Sequence, residues 1–253
     1  MTKIREQVEF TQLFLLAFLG PFLGALLTFY TGFGLNTILV PVFMIYFDAP
    51  IAVLMAGIVH LFNNILKVTL TVKSVDWHLF RNFGIPALLF AFIGAYLLNT
   101  LKDSIGNQLK PLFGFLFMIF ALLELFNWKL PIQGRWAMRI GGGLSGFFGG
   151  FSGHQGALRA LFLSRLKLEP LVFVATTALI SLFVDLTRVG VYFSGNWFNN
   201  FYPTYLYFIG VPAALLGTII GRRYIQKMNH GKMSTIVGIG LLMMGLALIL
   251  GWI

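Results

Sequence analysis

Residues 145–160 read SGFFGGFSGHQGALRA. Their side chains suit the holding of an anion better than the cutting of a bond. Ser152, His154, Gln155 and Arg159 each carry a hydrogen-bond donor, and Gly153 and Gly156 let a ligand come close to the main chain. A second glycine cluster, TGFGLN at 31–36, offers Gly32, Gly34 and Asn36, with Thr37 one position later. If each cluster breaks a helix, the returning helix begins with free N–H groups and the positive end of its dipole. Two such ends facing one another make an anion site. The rival explanation is that the glycines only let membrane helices pack closely.

Two polar stripes accompany the clusters. His60, Asn64 and Lys67 share a helix face by their spacing, and so do Ser181, Asp185 and Arg188. Ionisable groups inside a membrane mark functional sites by default. Against that, Lys67 and Arg188 are close enough to their helix ends to reach the interface, Asp185 and Arg188 can simply pair, and His60 reads as a core histidine unless it faces a cavity. His154, alone among the histidines, lies at a break, where it could titrate near neutral pH and couple a proton to the anion or else satisfy a freed carbonyl.

Other chemistries fit less well. GFSG at 150–153 has the form of an intramembrane serine protease motif, but after Ser152 only His154 and His230 remain, and neither is a base on a later membrane helix. A divalent cation wants clustered carboxylates or histidines, and inside the spans only Asp185 and Glu124 stand against Lys67, Arg159 and Arg188. No catalytic residue, metal site or cofactor is expected. A scaffold would explain packing glycines but not polar residues at both breaks.

The chain that must position these groups has 253 residues, 58% hydrophobic and 10% charged, with mean hydropathy +0.86. Soluble domains carry about 25% charged residues, so this is an all-α integral membrane protein. The net charge of +10 lies in short loops, as the positive-inside bias requires, and no basic run interleaved with aromatics suggests nucleic acid. The absence of cysteine removes disulfides and thiolate metal sites. The N-terminus lacks the form of a cleaved signal, so the first apolar run is retained as a helix.

Spans are expected near 11–30, 51–72, 83–100, 111–127, 170–193, 203–221 and 233–252, with broken hairpins around 35–47 and 136–167. The halves resemble each other. At an offset of 121 residues Thr31 matches Ser152, Gly32 matches Gly153, Asp48 matches Glu169 and Lys67 matches Arg188. With small slips Pro50 matches Pro170, Trp77 matches Trp197, and GIPA at 84–87 matches GVPA at 210–213. Five crossing elements per half would invert the second half, 129–253, relative to the first, 1–128. With the N-terminus outside, Lys73, Arg81, Lys129, Arg135, Arg139, Arg165, Lys167, Arg222, Arg223, Lys227 and Lys232 fall inside, and Lys3, Arg5, Lys102 and Lys110 outside. Inverted repeats with a broken helix in each half point to a transporter with its site near the midplane.

The segments TGFGLNTILVP and SGFFGGFSGHQGALRALFL, each opening a half, resemble the TauE/SafE family of membrane permeases, and the resemblance covers nearly the whole chain. It implies an inverted-repeat bundle in the cytoplasmic membrane that moves sulfite, sulfoacetate or a related sulfur anion. Leu35 and Asn36 stand where that family often has further glycines, and the second half carries His154 and Gln155 with no proline before Pro170. The expected partners are therefore a small anion, lipid and a coupled proton. The sequence sets no oligomeric state.

Overall fold

The computed structural model describes residues 2–29, 34–126, 134–163, 166, 168–195, 205–224 and 230–253, and among these it is helical without strands. The first half holds α1 (Thr2–Thr28), α2 (Leu35–Met44), α3 (Ala49–Thr71), α5 (Ile85–Ser104) and α6 (Gly106–Phe126), with a short α4 (Trp77–Leu79) and a π-helical turn (Phe80–Gly84) leading into α5. The second holds α7 (Arg135–Ser152), α8 (Gly156–Leu163), α9 (Pro170–Ser194), α10 (Tyr205–Tyr224) and α11 (His230–Ile249). Among the described residues five stretches are long and apolar enough to cross a membrane: Thr11–Thr28, Ala49–Ser74, Trp77–Ser104, Gln108–Phe126 and Pro170–Ser194. The expected spans at 203–221 and 233–252 fall on α10 and α11, which are not among those five, Thr235–Ile249 being a shorter apolar helix; positions 203 and 204 lie outside the described residues.

The two short helices follow from length. At about 1.5 Å per residue, α2 rises about 15 Å and α8 about 12 Å, against a hydrocarbon core of about 30 Å. Each covers part of the membrane and must end inside the protein. α3 and α9 begin alike: Asp48 precedes α3 with Pro50 in its first turn, and Glu169 precedes α9 with Pro170 as its first residue. Proline suits that position because its missing N–H is one the helix could not use.

Helix pairing is set by small residues. Along α5 and α7 the contacts advance together. A Cβ built on Gly142 would stand 2.1 Å from the Phe83 carbonyl oxygen, on Gly146 1.9 Å from that of Ala87, and on Gly150 2.0 Å from that of Ala91. These helices run parallel at backbone contact. α1 and α10 do the same, with Gly217 against Phe22 and Gly221 against Leu26. α6 and α11 run antiparallel, with Gly114 against Gly245 and Gly238 against Leu125. α3 and α9 also run antiparallel, with Gly57 against Arg188 and His60 against Asp185.

The break falls inside the hairpin expected at 136–167, and the glycines of that stretch divide into two roles. α7 does not loosen at Gly146 or Gly150, which are places where another backbone fits. The helix runs on to Ser152 and ends at Gly153, whose φ of +80° is left-handed. Only there does glycine's conformational freedom set the path of the chain.

Candidate functional site

The break in α7 frees the last carbonyls of that helix, and three side chains meet them. Arg188 Nη1 donates to the Gly149 carbonyl at 3.4 Å. Tyr192 Oη, one turn further along α9, donates to the Gly150 carbonyl. His154 Nδ1 donates to the Ser152 carbonyl at 2.9 Å. The hydroxyl of Ser145 donates to the Gln155 carbonyl at 3.1 Å. Three of the last four carbonyls of α7 thus meet protein groups, in keeping with the need to pair the backbone of a buried helix end.

The two glycine clusters meet. A Cβ on Gly34 would stand 3.7 Å from the Gly156 nitrogen and 3.9 Å from Arg159 Nη2, and one on Gly153 would stand 3.5 Å from Asn36 Cβ. The N-terminal ends of α2 and α8 are therefore neighbours. Gly32 lies outside the described residues, so only the Gly34–Thr37 side of the first cluster is placed.

Beside this junction is a cavity with room for about one water. α1 contributes Thr28 and the start of α2 contributes Gly34. α3 contributes His60, Asn64 and Lys67, α8 contributes Arg159, and α9 contributes Thr177, Ser181 and the apolar Val174 and Ala178. Both polar stripes thus reach one cavity, because α3 and α9 cross there face to face. Arg159 crosses from α8 to α9, donating from Nη1 to the Thr177 carbonyl at 2.8 Å and to the Ser181 hydroxyl. Lys67 is 6% exposed, with its ammonium 5.6 Å from the centroid of the Phe29 ring. It is turned inward and does not snorkel.

Behind the cavity wall lies a closed ionic cluster. His60 Nδ1 donates to Asp185 Oδ2 at 2.6 Å, and Asn64 Nδ2 donates to the same oxygen at 2.9 Å. Arg188 Nη2 pairs with Asp185 Oδ1 at 2.8 Å. With its side-chain amide turned so that the nitrogen donates to the Ala56 carbonyl at 2.9 Å, Asn36 presents its oxygen to Arg188 Nη2. Asp185 is thus occupied by His60, Asn64 and Arg188. Among the described residues no carboxylate lies within ion-pair distance of Lys67 or Arg159. The cavity keeps two cations that its own wall does not neutralise, which favours an anionic occupant in a low-dielectric site.

Several residues named from the sequence lie elsewhere. No residue from 152 to 156 lines the cavity. The Ser152 hydroxyl bonds back to the Phe148 carbonyl at 3.1 Å, and among the described side chains no histidine meets it. His154 is held between rings, with centroids 4.7 Å from Phe117 and 5.2 Å from Phe120. Gln155 is buried with its side-chain amide unpartnered among the described residues. Thr37 faces an apolar crevice of about 290 Å³ between α1, α2 and α11. Sequence reasoning put Lys67 on the α3 stripe but left open whether its side chain reached the interface, and it missed Thr28 and Thr177. Thr177 was within reach, since 177, 181, 185 and 188 continue one helix face. Thr28 carried no signal.

Among the described residues no three His, Cys, Asp or Glu side chains gather to hold a metal ion. The family model described as sulfite exporter TauE/SafE matches residues 13–248 of the chain. None of the curated proteins and none of the solved structures compared with the chain matches it.

Proposed function

The chain belongs to the sulfite exporter TauE/SafE family, and from that membership we propose that it is a secondary transporter whose substrate, a small sulfur oxyanion such as sulfite, binds in the cavity between α3, α8 and α9. As a member it is a multi-pass membrane protein of a transporter family. The single observation that carries the site is the pairing of Lys67 and Arg159 around one cavity while Asp185 is occupied by Arg188, His60 and Asn64. Hydroxyls of Thr28 and Ser181 and the Asn64 amide add neutral polar groups that suit a multidentate oxyanion. The space, fit for about one water, has to widen to take even sulfite.

The contacts also support two repeats, 1–128 and 129–253, inverted about an axis in the membrane plane. Exchanging α1, α2, α3, α5 and α6 for α7 to α11 in order carries the α5–α7 contact onto α10–α1 and the α5–α9 contact onto α10–α3. Where an element meets its own counterpart, α3 with α9 and α6 with α11, the two run antiparallel, as inversion requires. Such a frame lets one half rock against the other around a central site. The excess of basic residues in the loops assigned to the inside suits a cytoplasmic membrane.

The test is calorimetry on purified protein with sulfite, sulfate, thiosulfate, sulfoacetate, acetate and Mn²⁺, followed by uptake of the best binder into proteoliposomes. Binding of at least one sulfur oxyanion, tighter than acetate, is expected. Binding of the cation alone, or of none, overturns the proposal.

A further inference from the structure

We infer that the His60–Asp185 pair is the proton site of this transporter and that a proton is carried with the anion; this rests on the anion-cavity reading above. His60 lines the cavity, yet its Nδ1–H is already given to Asp185 Oδ2 at 2.6 Å. The ring atom left to titrate is Nε2. A proton arriving from water forms one N–H bond with the Nε2 lone pair, and the imidazolium so made is held by the carboxylate behind it. Asp185 does for His60 what a carboxylate does for any oriented histidine: it fixes the tautomer and steadies the charged ring.

The charges around His60 make the proton and the anion depend on each other. From its own helix it is faced by Lys67, from α8 by Arg159, and from α9 by Asp185 and Arg188. α2 adds the uncharged Asn36, and α10 meets α3 through Thr218 and Asn63, both uncharged. With the cavity empty, a third cation beside Lys67 and Arg159 is opposed. With an anion between them it is favoured, and by linkage the proton then tightens the anion by the same factor. The pair is also wired to the broken helix. Arg188, which holds Asp185, reaches the Gly149 carbonyl at the end of α7 and lies against Gly153. A change in the charge of the pair is therefore felt at the joint where α7 turns into α8. His154, for which the sequence left both a coupling role and the satisfying of a freed carbonyl open, has its Nδ1 committed to a carbonyl, its ring among phenylalanines and no share in the cavity.

The experiment counts protons. Sulfite binding is measured by calorimetry in buffers of different ionisation enthalpy, for wild type and His60→Gln, between about pH 5.5 and 8, where histidine titrates. Protonation of sulfite itself is common to both proteins and cancels in the difference. Wild type is expected to take up more protons per anion than the variant, the largest difference approaching about one. Equal proton numbers in two proteins that both bind sulfite overturn the inference. Should His60→Gln lose binding, ¹⁵N NMR of the wild-type histidine rings with and without sulfite decides: His60 must gain a proton when sulfite is added, and an unchanged His60 ring overturns the inference. In proteoliposomes with equal sulfite on both sides, an imposed pH gradient is expected to drive net sulfite movement in wild type. Sulfite exchange that ignores the gradient overturns proton coupling while leaving the anion site standing, and a wild type that binds no anion fails the earlier reading instead.

Discussion

Gly153 and Arg188 share one space: a Cβ on Gly153 would stand 2.9 Å from Arg188 Nη1, and the glycine itself sits at φ +80°. The break in α7 and the buried guanidinium that caps it are therefore one structural unit. Gly153→Ala meets a backbone penalty and a collision together, each of order 1 kcal/mol or more. A clear fall in the thermal midpoint of the detergent-solubilised protein is expected, together with loss of sulfite transport. Unchanged melting would show that the break tolerates a side chain.

Removing a cation from the cavity should separate binding from stability. Arg159→Gln and Lys67→Met are each expected to weaken sulfite binding at least tenfold, about 1.4 kcal/mol, while Arg222→Gln, on an exposed residue at the end of α10, changes it little. Lys67→Met should melt no lower than wild type, because it relieves a buried charge without an acidic partner. If both cavity variants bind sulfite as wild type does, the two cations are structural.

The contacts of His154 suit a structural role. Its loss leaves the Ser152 carbonyl short of a partner and opens a gap between Phe117 and Phe120. His154→Ala is expected to cost about 1–3 kcal/mol of stability and to leave the dependence of sulfite affinity on pH as in wild type. A flattened pH dependence would return the histidine to the transport cycle.

The parallel α5–α7 contact makes a steric forecast. Gly146→Ala drives a methyl into the Ala87 carbonyl oxygen, 1.9 Å away, whereas a Cβ on Gly190 meets nothing within 4 Å. Gly146→Ala should lower the yield of folded protein and its melting point, with overpacking costing about 1–3 kcal/mol. Gly190→Ala should match wild type or exceed it slightly, since alanine is the better helix former. The two variants melting alike would contradict the close approach of these helices.

The helices were legible before any coordinates because their causes are local. A run of apolar residues long enough for the hydrocarbon core becomes a span whatever its neighbours do, and the proline near the start of α3 and of α9 marks where each begins. The stripes of His60, Asn64 and Lys67 and of Ser181, Asp185 and Arg188 were legible too, since the 3.6-residue turn fixes which side chains share a face. What the tertiary structure alone decided is which of these groups meet. A glycine reads the same whether it admits a neighbouring carbonyl, as Gly146 does, or turns the chain, as Gly153 does. Past that turn the direction of every side chain depends on a single left-handed residue and on what packs around it. His154 and Arg159 lie five residues apart, yet one ends among the rings of α6 and the other in the cavity beside Lys67. Lys67 itself could have reached outward by length alone, and only the crossing of α3 over α9 and the ring of Phe29 turn it inward. Spacing along one helix is set by the geometry of a single chain, whereas the charge of a cavity is a sum over helices far apart in sequence.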